Sequence, residues 1–346
     1  MKHFVLLFVI AAFFVSCSEK EVIDDTSASN TYEITVSDSI SPVAQTANAA
    51  TYNLLGYGYD ATGYFFNSAS GKAKVLEIEK LIEQHPGNFA YGYPRAHYST
   101  MRAGLTAVEL VKALSEETDD YFRPISDNSK FNMFCGQLTA AFDKATLTSD
   151  QSVFGFYQEY ILERSYAYYD GADTLTNYLT EAFRTDVQNE TPEYILEKYG
   201  THVLTSVALG GKIQVLYKSN IPSGEKEWLS TVGLTNAVQM VMGQSMRFTN
   251  AGENSSNLTQ KVYVHTSGGL MLKSWHGWVS RDTMTAPIVN IVPWFKSVES
   301  NLSLINVPSG HMIPIYELVG DETKKAALRK AFDAYFQKSK STLSGN

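Results

Sequence analysis

The sequence predicts an α+β domain, on three observations. Segments with apolar residues at helical spacing, such as "KAKVLEIEKLIEQHPG" and "KKAALRKAFDAYFQK", stand beside a long β-rich run from Thr201 to Lys218. Glycines set among aromatics in "TYNLLGYGYDATGYFF" suggest strands with bends. No internal repeat, Pro-rich linker or change of composition interrupts residues 51–338, so these elements belong to one domain.

Composition agrees. The chain has 346 residues, enough for a sizeable core, and is 18% charged and 12% aromatic, with 21 Tyr and 18 Phe. That is the balance of a folded protein, not a disordered one. A net charge of -8 without a basic stripe argues against nucleic acid as the main partner. It leaves membranes open, because apolar insertion needs no positive patch.

At the N-terminus, Lys2 and His3 precede the apolar run Phe4 to Val15, the length of a signal-peptide core and short for a bilayer span. The run ends at Phe14-Val15-Ser16-Cys17. A small residue directly before Cys resembles a bacterial lipobox, in which Cys17 becomes the lipid anchor; Phe14 departs from the usual aliphatic residue. Residues 1–16 are read as a lipoprotein signal peptide. Residues 17–50, rich in Ser, Thr, Asn, Ala and Asp, are read as a tether with one short strand at Tyr32 to Val36. The acidic stretch from Glu19 to Asp25 resembles the surface-export signals of Bacteroidetes lipoproteins. The expected location is therefore the outer membrane and cell surface, or release from it. The folded body is read as residues 51–340, with 341–346 as a tail.

Along the body, Val75, Ile78, Leu81 and Ile82 mark a first helix, and "STMRAGLTAVELVKALSEET" a second. Phe131, Phe134, Leu138, Phe142 and Ala145 share one helical face. "YQEYILERSYAYY" moves toward a strand, and "DTLTNYLTEAFRTDV" and "TPEYILEKYG" are helical. The last has Thr191 as N-cap, Pro192 at the first helical position and Gly200 as the stop.

The candidate chemistry is sparse. There is no His-Glu-x-x-His, Cys-x-x-Cys, Gly-x-Ser-x-Gly or P-loop, and the histidines are scattered at 3, 85, 97, 202, 265, 276 and 311. His202 at the start of a strand reads as a hydrogen-bonded structural residue. Glu116-Glu117 and Asp119-Asp120 follow a helix end and read as a solvated loop. With Cys17 acylated, Cys135 has no disulfide partner and reads as a buried apolar residue. No catalytic residue, metal or cofactor is expected, and no enzymatic activity. The glycine pair Gly210-Gly211 is different. Inside an apolar strand glycine costs backbone entropy and contributes no packing, so a bend, a bulge or a close backbone approach must require it.

Tyr199-Gly200-Thr201-His202 followed by Gly210-Gly211 resembles the signature of the MACPF (membrane attack complex/perforin) superfamily, with Val203 where an aromatic is usual. "LLGYGYDAT", the Pro-Glu-Tyr helix and the closing "PIVNIVPWFKSVES…PIYELV" are similar to the family as well, so the resemblance covers residues 50 to 338. It implies a bent, twisted four-stranded antiparallel sheet flanked by two helical clusters, the MACPF/CDC-like arrangement. In pore-forming members each cluster becomes an amphipathic β-hairpin in a membrane-spanning barrel. The glycine pair would lie near the bend and ease its opening, making Tyr199, Gly200, Thr201, His202, Gly210 and Gly211 a hinge signature.

The second cluster should follow the signature strand. From Trp228 to Thr249 the residues alternate, and Trp228, Val232, Leu234, Val238, Met240, Met242, Met246 and Phe248 form a face able to meet lipid. Asn236 and Gln244 are imperfections on it. The same segment fits helical spacing through Leu234, Ala237, Val238, Val241 and Met242. "FTNAGENSSNLTQ" would be the hairpin tip and "KVYVHTSGG" the return. The first cluster, about residues 126 to 166, is poorly patterned. "SVFGFYQEYILERSY" carries Glu159, Glu163 and Arg164 without a clean alternating face and reads as a packed helix. The expected function is a surface or secreted lipoprotein that oligomerises on a target membrane and forms a pore, with rival bacteria as the target. Its partners would be that membrane, further copies of itself in a ring, and a surface receptor. The alternative is a non-lytic surface module for adhesion or host interaction.

Overall fold

A computed structural model describes residues 31–36, 54–116, 133–221, 226–242, 257–280, 288–307 and 312–344. The strands are β1 Thr31–Val36, β2 Tyr57–Tyr59, β3 Gly71–Lys74, β4 Phe89–Gly92, β5 Ala96–Gly104, β6 Ser152–Tyr168, β7 His202–Leu204, β8 Ser206–Asn220, β9 Leu258–Ser267, β10 Trp275–Ser280, β11 Ser303–Asn306 and β12 Met312–Pro314. The helices are α1 Ile78–Gln84, α2 Ala107–Glu116, α3 Cys135–Ala141, α4 Lys144–Leu147, α5 Ala172–Leu175, α6 Glu181–Asn189, α7 Pro192–Tyr199, α8 Lys226–Met242, α9 Val292–Ser297 and α10 Glu322–Ser341.

Four long strands, β5, β6, β8 and β9, lie side by side and antiparallel at the centre of the main sheet. The sheet is wider than the four strands the sequence implied: in all it has eight, in the order β10-β1-β9-β8-β6-β4, with β11 also on β8 and β5 also on β6. β1 is wedged between β9, to which it is parallel, and β10, to which it is antiparallel. A second sheet, β12-β7-β2-β3, is wholly antiparallel.

The middle of the main sheet, along β8 and the start of β6, is buried on both faces. Alternation along β8 sends Gly210, Lys212, Gln214 and Leu216 to one side and Gly211, Ile213, Val215 and Tyr217 to the other. Leu216, with Phe156 from β6, joins the large core under α2, α3, the second sheet and α10. Ile213, Val215 and Tyr217 join a separate core with Tyr32, Ile34 and Val36 of β1, with α8, and with Trp294 and Val298.

Several helical expectations give way to strands. "STMRAG" is the end of β5, and only Ala107 onward is helical. "SVFGFYQEYILERSY" belongs to β6, not to a packed helix, so the first helical connection is residues 105–151 rather than 126–166. Residues Val153 to Tyr157 are buried on both faces of the sheet, which removes the alternation that marks a half-exposed strand. The helical face from Phe131 to Ala145 is two short helices: Phe142 is extended and Asp143 caps α4 through the Thr146 N–H. Phe131 lies outside the described residues. "DTLTNYLTEAFRTDV" is likewise split, into α5 and α6. The single strand from Thr201 to Lys218 is β7 and β8, which enter different sheets. The start of the first helix moves to Ile78, because Gly71–Lys74 pairs with β2. α7 has the expected limits: Thr191 accepts from the Tyr194 N–H, Pro192 opens the helix and Gly200 ends it at φ +78°.

Candidate functional site

The Tyr-Gly-Thr-His run is the knot of the second sheet. Tyr199 ends α7, with its ring edge-on to Phe183 at 4.9 Å between centroids. Its hydroxyl donates to Asp186 Oδ2 at 2.7 Å, and Lys198 Nζ reaches the same oxygen at 2.6 Å. Together they hold the Asp186 carboxyl below its usual range. Gly200 follows in the left-handed region, where a Cβ would stand 2.6 Å from the carbonyl oxygen of Tyr59. Thr201 ties the chain to β2: its N–H donates to Tyr59 O at 2.9 Å, and its Oγ1 accepts from the Ala61 N–H at 3.0 Å. The same hydroxyl lies 2.9 Å from His202 Nδ1.

His202 is fully buried, 5.5 Å from the ring of Phe332 and 6.4 Å from that of Phe336 on α10. Burial alone pushes its pKa down to about 3, so the ring is neutral at physiological pH. It is positioned as packing between the second sheet and the last helix. Among the described residues no group of His, Cys, Asp or Glu is arranged to hold a metal ion. Cys135 is buried, and burial raises its thiol pKa to about 11, which leaves it unreactive.

The glycine pair lies in the other sheet, where β8 changes neighbours. Above it, Lys212 to Lys218 pair with β9; below it, Ala208 to Gly210 pair with β11. On the opposite edge the register with β6 shifts between Leu162 and Arg164, leaving Glu163 as an extra residue directly beside Gly210. Such a bulge bends and twists its strand. A Cβ on Gly210 would overlap the Ile161 carbonyl oxygen, and one on Gly211 would enter the Val298 side chain and stand 2.8 Å from Trp294 Cζ2. Trp294 is held there by its indole N–H, which donates to Gly268 O at 2.9 Å.

Beside the pair runs a buried polar seam that the sequence reading missed. Lys212 is fully buried, and its ammonium donates to the carbonyls of Phe65 at 2.8 Å, Phe66 and Ile305. Burial holds its pKa well below the usual lysine range. Gln214 Oε1 is hydrogen-bonded to His265 Nε2 at 2.5 Å, and Gln137 Nε2 of α3 lies 3.2 Å from the same nitrogen. Asn67 Nδ2 donates to Ser267 Oγ at 2.7 Å. The seam joins α3 and the loop before β3 to the middle of β8 and the end of β9. Its signal was the alternation of polar Lys212 and Gln214 with apolar Ile213 and Val215, which marks one face of a strand as buried against polar backbone.

α8 carries the candidate hairpin face. Leu234, Val238, Met240 and Met242 are buried, Val232 is half-buried and Trp228 is exposed; Met246 and Phe248 lie outside the described residues, as do Cys17 and residues 248–256 of the expected hairpin tip, whose last three residues, Leu258 to Gln260, belong to β9. The would-be opposite face, Leu229, Gly233, Ala237 and Val241, is buried too. Gly233 sits against the Tyr217 hydroxyl, and Leu234 fills the space left by Gly155. Asn236 is 1% exposed, and neither its Oδ1 nor its Nδ2 has a hydrogen-bond partner. The expected return strand is already in place as β9. Among the described residues no helix is long and apolar enough to cross a membrane.

The fold has counterparts. It superposes on a MAC/Perforin-domain protein from Bacteroides thetaiotaomicron VPI-5482 with a TM-score of 0.65 and 16% identity, covering 84% of this chain and 61% of that one. It superposes on GNIP1Aa from Chromobacterium piscinae with a TM-score of 0.64 and 17% identity, covering 84% of this chain and 57% of that one. The chain thus spans about three fifths of the length of each. It matches no curated protein sequence. The MAC/Perforin domain profile matches residues 49–342, a span that holds both the Tyr199–His202 knot and the glycine pair of β8: the chain belongs to the MACPF family.

Proposed function

We propose that the protein is a surface lipoprotein, anchored through Cys17, that oligomerises on a target membrane and forms a pore. Residues 105–151 and 221–257 would become its membrane-crossing hairpins, and rival bacteria are the target. The observation that carries this reading is topological. Residues 105–151 join β5 to β6, and residues 221–257 join β8 to β9. The flanking pairs Gly104↔Phe154, Ser152↔Asn220 and Asn220↔Leu258 show that both connections leave the same end of neighbouring antiparallel strands. Straightened, each would prolong two strands of the sheet in register. Each is longer than the roughly 20 residues that two membrane strands need.

Two further features support it. α8 holds Asn236 buried and unpaired, which costs the helical state about 1–3 kcal/mol that exposure to water, as α8 first leaves the sheet, would recover. The glycine pair and the Glu163 bulge form the one described place where β8 exchanges neighbours, a point suited to act as hinge.

The test is a reversible lock. A Cβ on Gly155 would lie 3.0 Å from that of Leu234, so the pair Gly155→Cys and Leu234→Cys can bridge α8 to β6 once α8 gives way by the few tenths of an ångström that a disulfide, with its Cβ atoms ~3.5–4.5 Å apart, requires. Charges at Val238 or Met240 are unsuitable probes, since both are buried and the fold itself would fail. The readout is dye entry into Gram-negative cells and vesicles, using the chain from Ser18. Entry absent in the oxidised form and restored by reduction is the expected result. Entry through the oxidised form would exclude release of α8. Binding to cells without entry by the unlocked chain would turn the reading to a non-lytic adhesion module.

A further inference from the structure

On the sheet face covered by α8, the last part of the chain inverts the usual pattern of a surface helix. α9 buries Trp294 against Gly211 but leaves Val292 and Phe295 more than half exposed, at 53% and 54%. The turn after β9 lies on α9, with the Leu270 N–H donating to Ser297 Oγ at 2.6 Å. That turn exposes Leu270 at 59% and Met271 at 60%. Trp275 is exposed beside them and walls a cleft of ≈ 500 Å³ shared with Leu270, Met271 and Pro293. The two charged groups within this patch are both basic and exposed, Lys273 and Lys296. Glu299, three residues beyond Lys296, is engaged by Arg95 at 2.9 Å. In a chain of net charge -8, the charged side chains of this apolar patch are, among the described residues, lysines.

We infer that this patch docks the protein on the surface of an anionic lipid bilayer. Side chains of this kind sink to the level of the headgroups, while the lysines meet lipid phosphates. The face matters as much as the composition. Gly211, Tyr217 and Gly155 point to the same side of the sheet, so α9, which lies over Gly211, and α8, which lies over Tyr217 and Gly155, share it. Docking through α9 therefore turns α8 and its exposed Trp228 toward the same bilayer. It also loads the hinge directly, because Trp294 and Val298 touch Gly211.

The inference rests on the membrane reading above but names a surface that can fail separately. The chain from Ser18, which contains every described element and no acyl group, is floated with vesicles of phosphatidylcholine and phosphatidylglycerol in equal parts. The double variant Met271→Ser, Phe295→Ser changes only exposed positions and should partition about tenfold less with an unchanged melting temperature. Lys273→Glu with Lys296→Glu should abolish the dependence on phosphatidylglycerol and on salt. Three outcomes would overturn the proposal: no flotation of the unmodified chain, flotation of the serine variant at its level, or a change of oligomeric state in the serine variant without vesicles, which would assign the patch to a second copy. Flotation without dye release leaves this surface standing and removes the pore; dye release by a serine variant that floats as the unmodified chain does has the reverse meaning.

Discussion

The two halves of the family signature, Tyr199–His202 and Gly210–Gly211, are close in sequence and opposite in construction. In the first, polar groups are paired across long sequence distances: Thr201 to Tyr59 and Ala61, Ile315 N–H to Thr201 O, Tyr199 to Asp186. In the second, side chains have been removed so that backbone and bulky neighbours can close in, and the strand changes partners on one edge while its neighbour bulges on the other. A network of directional bonds has one good arrangement. A steric notch bordered by a register break permits more than one. The difference separates a clamp from a joint, though both were read from one motif.

The comparison can be broken experimentally. The largest effect is expected at the joint: Gly210→Val drives a side chain into the Ile161 carbonyl, and should cost about 3 kcal/mol or more, seen as a lowered denaturation midpoint or as loss of soluble protein. At the clamp, Gly200→Ala forces a left-handed residue against Tyr59 and should cost about 2 kcal/mol by the same measurement. A clamp variant that proved neutral would end the distinction.

Acid should act on both regions alike. His202 and His265 have folded-state pKa values near 3, against an ordinary value of 6.5, because burial excludes their charged forms, with the Lys212 charge adding to the effect at His265. The unfolded chain takes up protons at these sites below pH 6.5 and the folded chain does not, so stability is whole above that pH and falls as pH drops toward 3. The slope approaches about 1.4 kcal/mol per pH unit for each ring. Thermal melts from pH 7 to 4 test it, and His265→Gln should flatten the slope by one ring's share. The smallest effect has the opposite sign. Asn236→Leu removes two unpaired polar atoms from α8 and should raise stability by about 1 kcal/mol while slowing dye entry. A stabilised variant with unchanged entry would show that release of α8 does not limit the process.

Local chemistry made some elements legible. Thr191, Pro192 and Gly200 bracket α7 because capping needs only the residues of the helix end. Tyr32–Val36 shows as a strand because alternate residues face the core. β6 showed as a strand only from Tyr157 onward and otherwise read as a helix, because its first half is buried on both sides and Glu159, Glu163 and Arg164 fall where the sheet is only partly covered. The boundary between β7 and β8 was equally hidden, since Thr201 to Lys218 has β character throughout and the change of sheet leaves no local mark.

By itself the sequence determined the fold class, the family signature and the double periodicity of Trp228 to Thr249, since each depends on residue type and spacing alone. Only the tertiary structure decided that Tyr199–His202 and Gly210–Gly211 serve different sheets, that buried Lys212 donates to backbone carbonyls from distant parts of the chain, and that both helical connections leave one end of the sheet. Those depend on which strands become neighbours. Strand pairing is settled by the packing of faces across the whole domain, which no local run of residues encodes.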